Sequence, residues 1–487
     1  MNDIQILRQN PSKVLESLKA GEIERMELSV EQITDEFMIY GLRGGLIDEL
    51  SNSFPDPRKE CEITIKEILS ASIAGHFQDM YAISQSPYAL HSPILLAELG
   101  LNAKVLCEGE GISRRGTQEN IPFTGDAIRK MLYGIDDPFV LIEWYNRIAG
   151  VAYLRQARYE PCIHILDCTE LEVVLENENY EGSGIVSRKR EINGVEVKER
   201  ARGYKLGSLR SLLDDGGVIT AIAFGPIQVH DLKLCKKLVM TNPHLKPGDI
   251  LIEDCGFLDG KTVSRLKKKR GVDVILPLRS NMQACNDAIV SAYHHDAPPW
   301  EQHPSRESQE IKKIEYADYL WDECTVPLIG CVVRELKERR DGSNGREDYN
   351  HWVFVTTRLT LTGRRMIQTY ELRPEIEEDH RQWKEGLWDM TKFTSTSLVQ
   401  VIYHVICVLL AYNLCQVYSN TRSGRKFAQT TLRSLRRQQI RNHDVSMVVY
   451  ADNSYAVFHV KFLIWLLLDQ PKDIQERLKP HFMAGFT

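Results

Sequence analysis

Asp249-Ile250-Leu251-Ile252-Glu253-Asp254 is a short apolar run closed by two acids. Its length suits a strand, and a strand apolar on both faces belongs inside a sheet covered on both sides. On its amino side lies a helical segment, Asp231 to Met240, ended by Asn242-Pro243, because the residue before a proline is pushed out of the helical region. Before that come Ile163-His164-Ile165-Leu166-Asp167 and a hairpin, Gly203 to Leu213 and Val218 to Phe224, joined at Asp214-Asp215-Gly216-Gly217. On its carboxyl side a helix over about Lys261 to Lys269 leads to another strand, Val272 to Leu278. Strand, hairpin, helix, strand, helix, strand is an α/β order whose right-handed crossovers place helices on the sheet faces.

Around this core the pattern changes. Residues 1–155 read as short helical segments such as Ile4 to Leu18, Ile63 to Met80 and Ala127 to Leu132, with no alternating strand. Residues 156–280 form the α/β part, and 281–365 bring Ile311 to Tyr316, Val326 to Glu335 and Trp352 to Thr357, which read as an all-β insertion. Helical periodicity returns over 366–420 as Met366 to Lys384 and Ser397 to Tyr418. Residues 421–487 read as a basic linker and C-terminal helices ending with Tyr455 to Leu468.

The chain of 487 residues, with 43% apolar and 26% charged residues and a formal charge of -6, is globular rather than disordered. A chain of net negative charge binds nucleic acid only through local basic surface. The eleven cysteines form no C-x-x-C pair, which disfavours a zinc module or a stapled secreted scaffold and suits reduced cytosolic thiols. No basic, then apolar, leader opens the sequence. Leu398 to Tyr418 is the most apolar stretch, but Gln400, His404, Asn413 and Gln416 make it a buried core helix rather than a membrane span.

Two acids close apolar strands, Asp167 and Asp254, where ligands gather in α/β sheets. Each alone could cap a turn; together they are candidates to hold Mg²⁺, which takes a few carboxylates. A third acid is available in Tyr370-Glu371-Leu372-Arg373-Pro374-Glu375-Ile376-Glu377-Glu378-Asp379-His380-Arg381-Gln382-Trp383-Lys384. Read as one helix, this segment stacks Tyr370, Arg373, Glu377 and Lys384 on one face, where the carboxylate suits an ion and the cations and phenol suit phosphates.

The spacing Tyr-x2-Arg-x3-Glu-x6-Lys at Tyr370, Arg373, Glu377 and Lys384 resembles the signature of a group of bacterial insertion-sequence DDE transposases. Leu166-Asp167-Cys168-Thr169, Asp254-Cys255-Gly256-Phe257 and His230-Asp231 resemble that group's other motifs, over about residues 155–420. Cys255 and Pro374 depart from its usual basic and aromatic residues. The resemblance implies a ribonuclease-H-like catalytic core with the β insertion before the Glu, and two Mg²⁺ ions, with Mn²⁺ able to substitute, held by Asp167, Asp254 and Glu377 for in-line phosphoryl transfer. It further implies that Tyr370, Arg373 and Lys384 grip phosphates, and that Trp352 stacks on a flipped base or else is a strand core residue. The implied partners are double-stranded DNA, as transposon ends and target, and a second copy in a homodimer assembled on DNA, with no membrane. The implied location is the bacterial cytoplasm, at the nucleoid. Residues 1–155 are left for recognition of the DNA ends.

Bland roles suit several neighbours: Glu375 and Glu378 as solvated helix charges, Asp259, Glu170 and Glu172 as surface or supporting groups, and His164 as a satisfied core histidine. Arg422 to Arg441 holds seven positive charges and no acid, which suits contact with a DNA backbone. Lys267-Lys268-Lys269-Arg270, at a helix end, suits the dipole as well as DNA. Two rivals share these residues: a nuclease of the same fold that joins no strands, and a transposase-derived DNA-binding protein.

Overall fold

The computed structural model describes the chain except residues 1–15, 18, 32, 91, 102–110, 120–121, 193–194, 295–296, 316–320, 338–347, 387, 428–433, 435–442, 451–454, 460–467 and 485–487. It divides into two compact units, one of residues 1–144 with 383–487 and one of residues 145–382.

In the first unit the apolar helix Leu398–Ser419 is the core element, with 94% of its most apolar window buried. Its polar groups find partners inside the unit: Tyr403 hydrogen-bonds Ser72 at 2.7 Å, and His404 Nε2 lies 3.0 Å from the Asp389 carbonyl. Burial drives the His404 pKa down to about 4, so the ring is neutral. The helices Ile65–Phe77 and Asp126–Tyr133 form where periodicity placed them, the first behind a capping box of Thr64 and Glu67. Two expectations fail in this unit. Ile23–Glu31 is a strand, paired antiparallel with His443–Tyr450, so the N-terminal region is not wholly helical. Tyr455–His459, expected in a helix, is a third strand on that sheet. A short apolar run of β-branched and aromatic residues fits either state, and the partner strand decides it.

The second unit carries a ten-stranded sheet. Its strands are β1 (Ile163–Val173), β2 (Gly184–Ile192), β3 (Val195–Leu212), β4 (Gly217–Pro226), β5 (Ile250–Glu253), β6 (Asp273–Pro277), β7 (Glu301–Gln302), β8 (Gln309–Ile314), β9 (Ile329–Leu336) and β10 (Tyr349–Thr356). The helices are α1 (Gly150–Ala157), α2 (Asp231–Thr241), α3 (Gln283–Ala292), α4 (Gly363–Tyr370) and α5 (Pro374–Glu385), with a further helical stretch over Gly260–Arg270. The strand order is β2-β3-β1-β5-β6-β10-β9-β8-β7, with β4 on β3. β1, β5 and β6 run parallel, and every other pairing is antiparallel.

Alternation along the parallel strands builds two cores. Leu166, Leu251 and Val274 face α2, α3 and the 260–270 helix, while Ile165, Ile252 and Ile275 face α4 and the start of α5. On the rim, α1 lies so close to β4 that a Cβ on Gly150 would meet the Thr220 carbonyl at 2.1 Å. The segment 281–365 is not all-β, because α3 lies within it, and its strands extend the main sheet through the β10–β6 pairing of Phe354 with Pro277. The expected helix Met366 to Lys384 is broken: α4 stops at Tyr370, residues 371–373 form a turn, and Pro374 opens α5. Proline suits a first helical position and cannot sit inside a helix without removing a hydrogen bond.

Candidate functional site

Period-two alternation puts Asp167 two residues after Ile165 and Asp254 two after Ile252, both on the sheet face covered by α4 and α5. Asp167 lies in β1, where its Oδ1 accepts from the Cys168 N–H at 2.8 Å. Asp254 follows β5 and caps the turn Cys255–Phe257, its Oδ1 accepting from the Cys255 N–H at 2.6 Å. Glu377 comes from the first turn of α5.

One guanidinium serves all three acids. Arg373 in the 371–373 turn places Nη2 at 3.5 Å from Asp167 Oδ2 and 3.4 Å from Asp254 Oδ2, and Nη1 at 2.5 Å from Glu377 Oε1. Its Nε is buried with no hydrogen-bond partner. Burial opposes the charge on Arg373, but the surrounding carboxylates hold it more basic than usual. Asp167 is the most enclosed acid, its side chain 14% exposed against 35% for Asp254 and 53% for Glu377. Burial pushes its pKa up to about 6, against the opposing pull of Arg373 and the Cys168 N–H and with help from the charges of Asp254 and Glu377. Tyr370 packs against Phe354 with ring centroids 4.7 Å apart and planes tilted by 54°, and burial lifts its phenol to about 12, so it is a hydrogen-bond donor near neutrality.

Trp352 is on β10 two residues before Phe354, hence on the same sheet face, and is 41% exposed, so it is not a core residue. Lys384 is exposed in the last turn of α5. Tyr370, Arg373 and Glu377 do not share one continuous helix; the turn brings them together.

A second set of residues, missed in the sequence, ties α5 to β3. Arg210 is buried and pairs with Asp379 at 2.8 Å and with Glu375. Glu375 is therefore an ion-pair partner rather than a merely solvated charge. Ser208, directly opposite Asp167 in the β1–β3 ladder, hydrogen-bonds His380 Nε2 at 2.8 Å, and His380 Nδ1 lies 4.0 Å from Asp167 Oδ2. The signal was present: Ser208 and Arg210, two residues apart, share one face of β3, and His380 follows Glu377 by three. Glu253 points the other way, where burial and Asp259 raise it to about 8, so it is protonated at neutral pH.

Other residues given bland roles keep them. His164 is buried between Ser211 at 2.8 Å and Asp249 at 3.1 Å; Glu170 and Glu172 pair with Arg188; Glu378 pairs with Arg381 at 2.6 Å. Arg270 donates to the carbonyls of Met240 and Leu245, each at 2.8 Å, and Lys267 pairs with Asp273 at 2.6 Å, so both have structural partners. Of the basic segment 422–441, Lys426 pairs with Glu36 at 3.1 Å, while Arg433, Arg436, Arg437 and Arg441 lie outside the described residues. Cys168 and Cys235 are free thiols with sulfurs 3.5 Å apart.

Among the described residues no three His, Cys, Asp or Glu side chains are disposed to hold a metal ion as they stand. The donor set nevertheless fits a hard cation, since three carboxylates converge on a positive group and offer only oxygen. Arg373 is the cation they now share.

Residues 187–414, just under half of the chain, match the family model described as the transposase DDE domain. The matched stretch contains Asp254, Trp352, Tyr370, Arg373, Glu377 and Lys384 and begins after Asp167. The match supports a DDE transposase family and a transposase function, in a class of enzymes that acts on DNA and generally uses divalent metal ions. The mixed α/β fold of residues 145–382 is consistent with a ribonuclease-H-like domain of that class. No curated protein matches the chain.

Proposed function

We propose that this protein is a DNA transposase of the group with the Tyr-Arg-Glu-Lys signature, cutting at the ends of its element and joining the freed 3'-hydroxyls to target DNA. The observation that carries the proposal is the meeting of Asp167, Asp254 and Glu377 around the Arg373 guanidinium. Three acids, one within β1, one just after β5 and one from α5, in that chain order, share a single positive centre. A solvated surface has no reason to bring them together, since like charges repel unless a cation is held between them.

Asp167, Asp254 and Glu377 would hold two Mg²⁺ ions. Bound there, the ions supply Lewis-acid stabilisation of the attacking and leaving oxygens of an in-line displacement at a phosphodiester. The chain's own groups do the rest. Arg373 holds the acids close together in the metal-free protein, and its unpartnered Nε–H is a donor suited to a phosphate oxygen. Tyr370, a phenol held protonated by burial, donates a second hydrogen bond to the same strand. Lys384 adds a point charge for the backbone, and exposed Trp352 offers a ring on which an unpaired base can stack. Arg210 and Ser208, through Asp379, Glu375 and His380, fix α5 and hence Glu377 against β1.

Two DNA ends must be held for joining, so a homodimer assembled on DNA is proposed, with residues 1–155 recognising the ends, at the bacterial nucleoid. A strand-transfer assay with Mg²⁺ tests the proposal, comparing the wild type with Glu377→Gln on DNA carrying the element's flanking ends. Joined products that vanish in the variant are expected. Cleavage without joining would mean a nuclease, and binding without Mg²⁺-dependent cleavage in either protein would mean a DNA-binding protein only.

A further inference from the structure

Asp167 and Asp254 directly follow the carboxyl end of the parallel pairing between β1 and β5, which runs from Ile163 and Ile250 to Leu166 and Glu253. Near the amino ends of these strands the unit 145–382 contains a cavity of about 360 Å³, lined among others by Leu154, Arg155, Arg158, Tyr159, His244 and Lys246. About 13 Å of strand separates Ile163, where β1 begins, from Asp167, so this cavity and the carboxylates lie toward opposite edges of the sheet.

Three features of the cavity point to an anion. First, Arg158 and Lys246 in its lining face one lining acid, Glu160, and Glu160 meets Lys246 at 3.4 Å with both side chains mostly in solvent, so that pair neutralises the lining little. Second, His244 Nε2 is buried without a hydrogen-bond partner. Burial lowers the pKa of this imidazole, with Arg155 and Lys246 adding to the effect and backbone hydrogen bonds to Arg147 and Asn146 opposing it; an anion alongside would favour the imidazolium, whose Nε2–H could donate to it. Third, Arg158 ends α1 in the left-handed conformation, φ 53 and ψ 43. Its N–H and that of Tyr159 close the helix onto the carbonyls of Arg155 and Leu154, each at 3.1 Å. Glycine normally fills such a position because a Cβ there crowds the backbone. A long cationic side chain kept at a strained backbone position beside a basic cavity is a sign of use.

We infer that this cleft grips a phosphate of the DNA backbone, a second anchor separate from the phosphodiester at the carboxylates. The inference rests on the proposed function only for the identity of the ligand as DNA. The anchor holds the duplex without reading its sequence, because phosphate contacts set position and base contacts set specificity.

The test is fluorescence anisotropy of the full chain on a labelled duplex of arbitrary sequence, without Mg²⁺, over a range of salt concentration. The variants are Arg158→Gly and Lys246→Gln. Arg158→Gly removes the charge while relieving the backbone, so its melting temperature should stay the same or rise and weaker binding cannot be blamed on unfolding. Each DNA phosphate that a variant leaves unneutralised should make the slope of log K against log salt shallower by about 0.9, which is roughly an eightfold fall in affinity at about 0.1 M salt. Wild-type affinity and slope in both variants overturn the anchor and leave the catalytic proposal standing. A wild type that binds no duplex overturns both. Unchanged DNA binding, with a thermal upshift by pyrophosphate that Arg158→Gly abolishes, overturns the DNA assignment in favour of a small phosphate ligand.

Discussion

Replacing Arg373 with Gln removes the one cation shared by Asp167, Asp254 and Glu377. Asp254 and Glu377 are exposed enough for water to screen the loss, so the effect concentrates on Asp167. In the wild type its pKa is already raised to about 6 from 3.8, chiefly by burial. A carboxylate beside an arginine is typically held down by about one to three units, so the variant should carry Asp167 to roughly 8. A raised acid destabilises the folded state as it ionises: there is no penalty below the unfolded pKa, and the full penalty is reached above the folded one. At about pH 5 Asp167 is mainly protonated in both folded proteins, and the substitution should change little through this group. At about pH 7.5 the wild type is ionised, whereas the variant takes up a proton. The difference is about 1.5 pH units at about 1.4 kcal/mol each, or about 2 kcal/mol of lost stability. Urea unfolding of both proteins in chelator, at the two pH values, measures it. An equal loss at both would show that Arg373 acts through packing and not as the counter-ion of Asp167.

Other expectations follow from the same geometry. Mg²⁺ or Mn²⁺ should raise the melting temperature at about pH 7.5 and lose that effect below about pH 6, where Asp167 is protonated and competes with the metal; an upshift independent of pH would place the ion elsewhere. Arg210→Met should destabilise by about 3–5 kcal/mol by removing the buried cation paired with Asp379, and pairing it with Asp379→Leu should recover most of that in a double-mutant cycle; additive losses would mean the two are not coupled. Trp352→Ala should shift stability by no more than about 0.5 kcal/mol, yet weaken binding to DNA with an unpaired base at the end by about 1–3 kcal/mol; a large loss of stability would return Trp352 to the core.

What the sequence disclosed, and what it hid, follows from the range of the interactions involved. Ile163 to Asp167, Asp249 to Asp254 and Val272 to Leu278 are legible as strands because a continuous apolar run needs no partner to be recognised, and their parallel pairing follows from the helices between them, although the first strand does not close at Asp167 but runs on to Val173. The strands before α4 were also legible one by one, but the addition of β10 to β6 depends on Phe354 meeting Pro277 across 77 residues of chain, which no local pattern records. Tyr455–His459 went to the wrong state for a different reason: its partner strand lies just upstream, with Val449 opposite Tyr455, but a five-residue apolar and aromatic run fits either helix or strand. The site shows the opposite case. Spacing alone suggested that Tyr370, Arg373 and Glu377 stack along one helix, and Pro374 breaks that helix, yet the three still meet, because an (i, i+4) contact needs only the turn before Pro374 and the first turn after it. Arg373 thereby sits in a turn rather than a helix interior and reaches Asp167 within β1 and Asp254 after β5 as well as Glu377. The departure at Pro374 thus supplies the break at which one guanidinium can serve three acids from three elements.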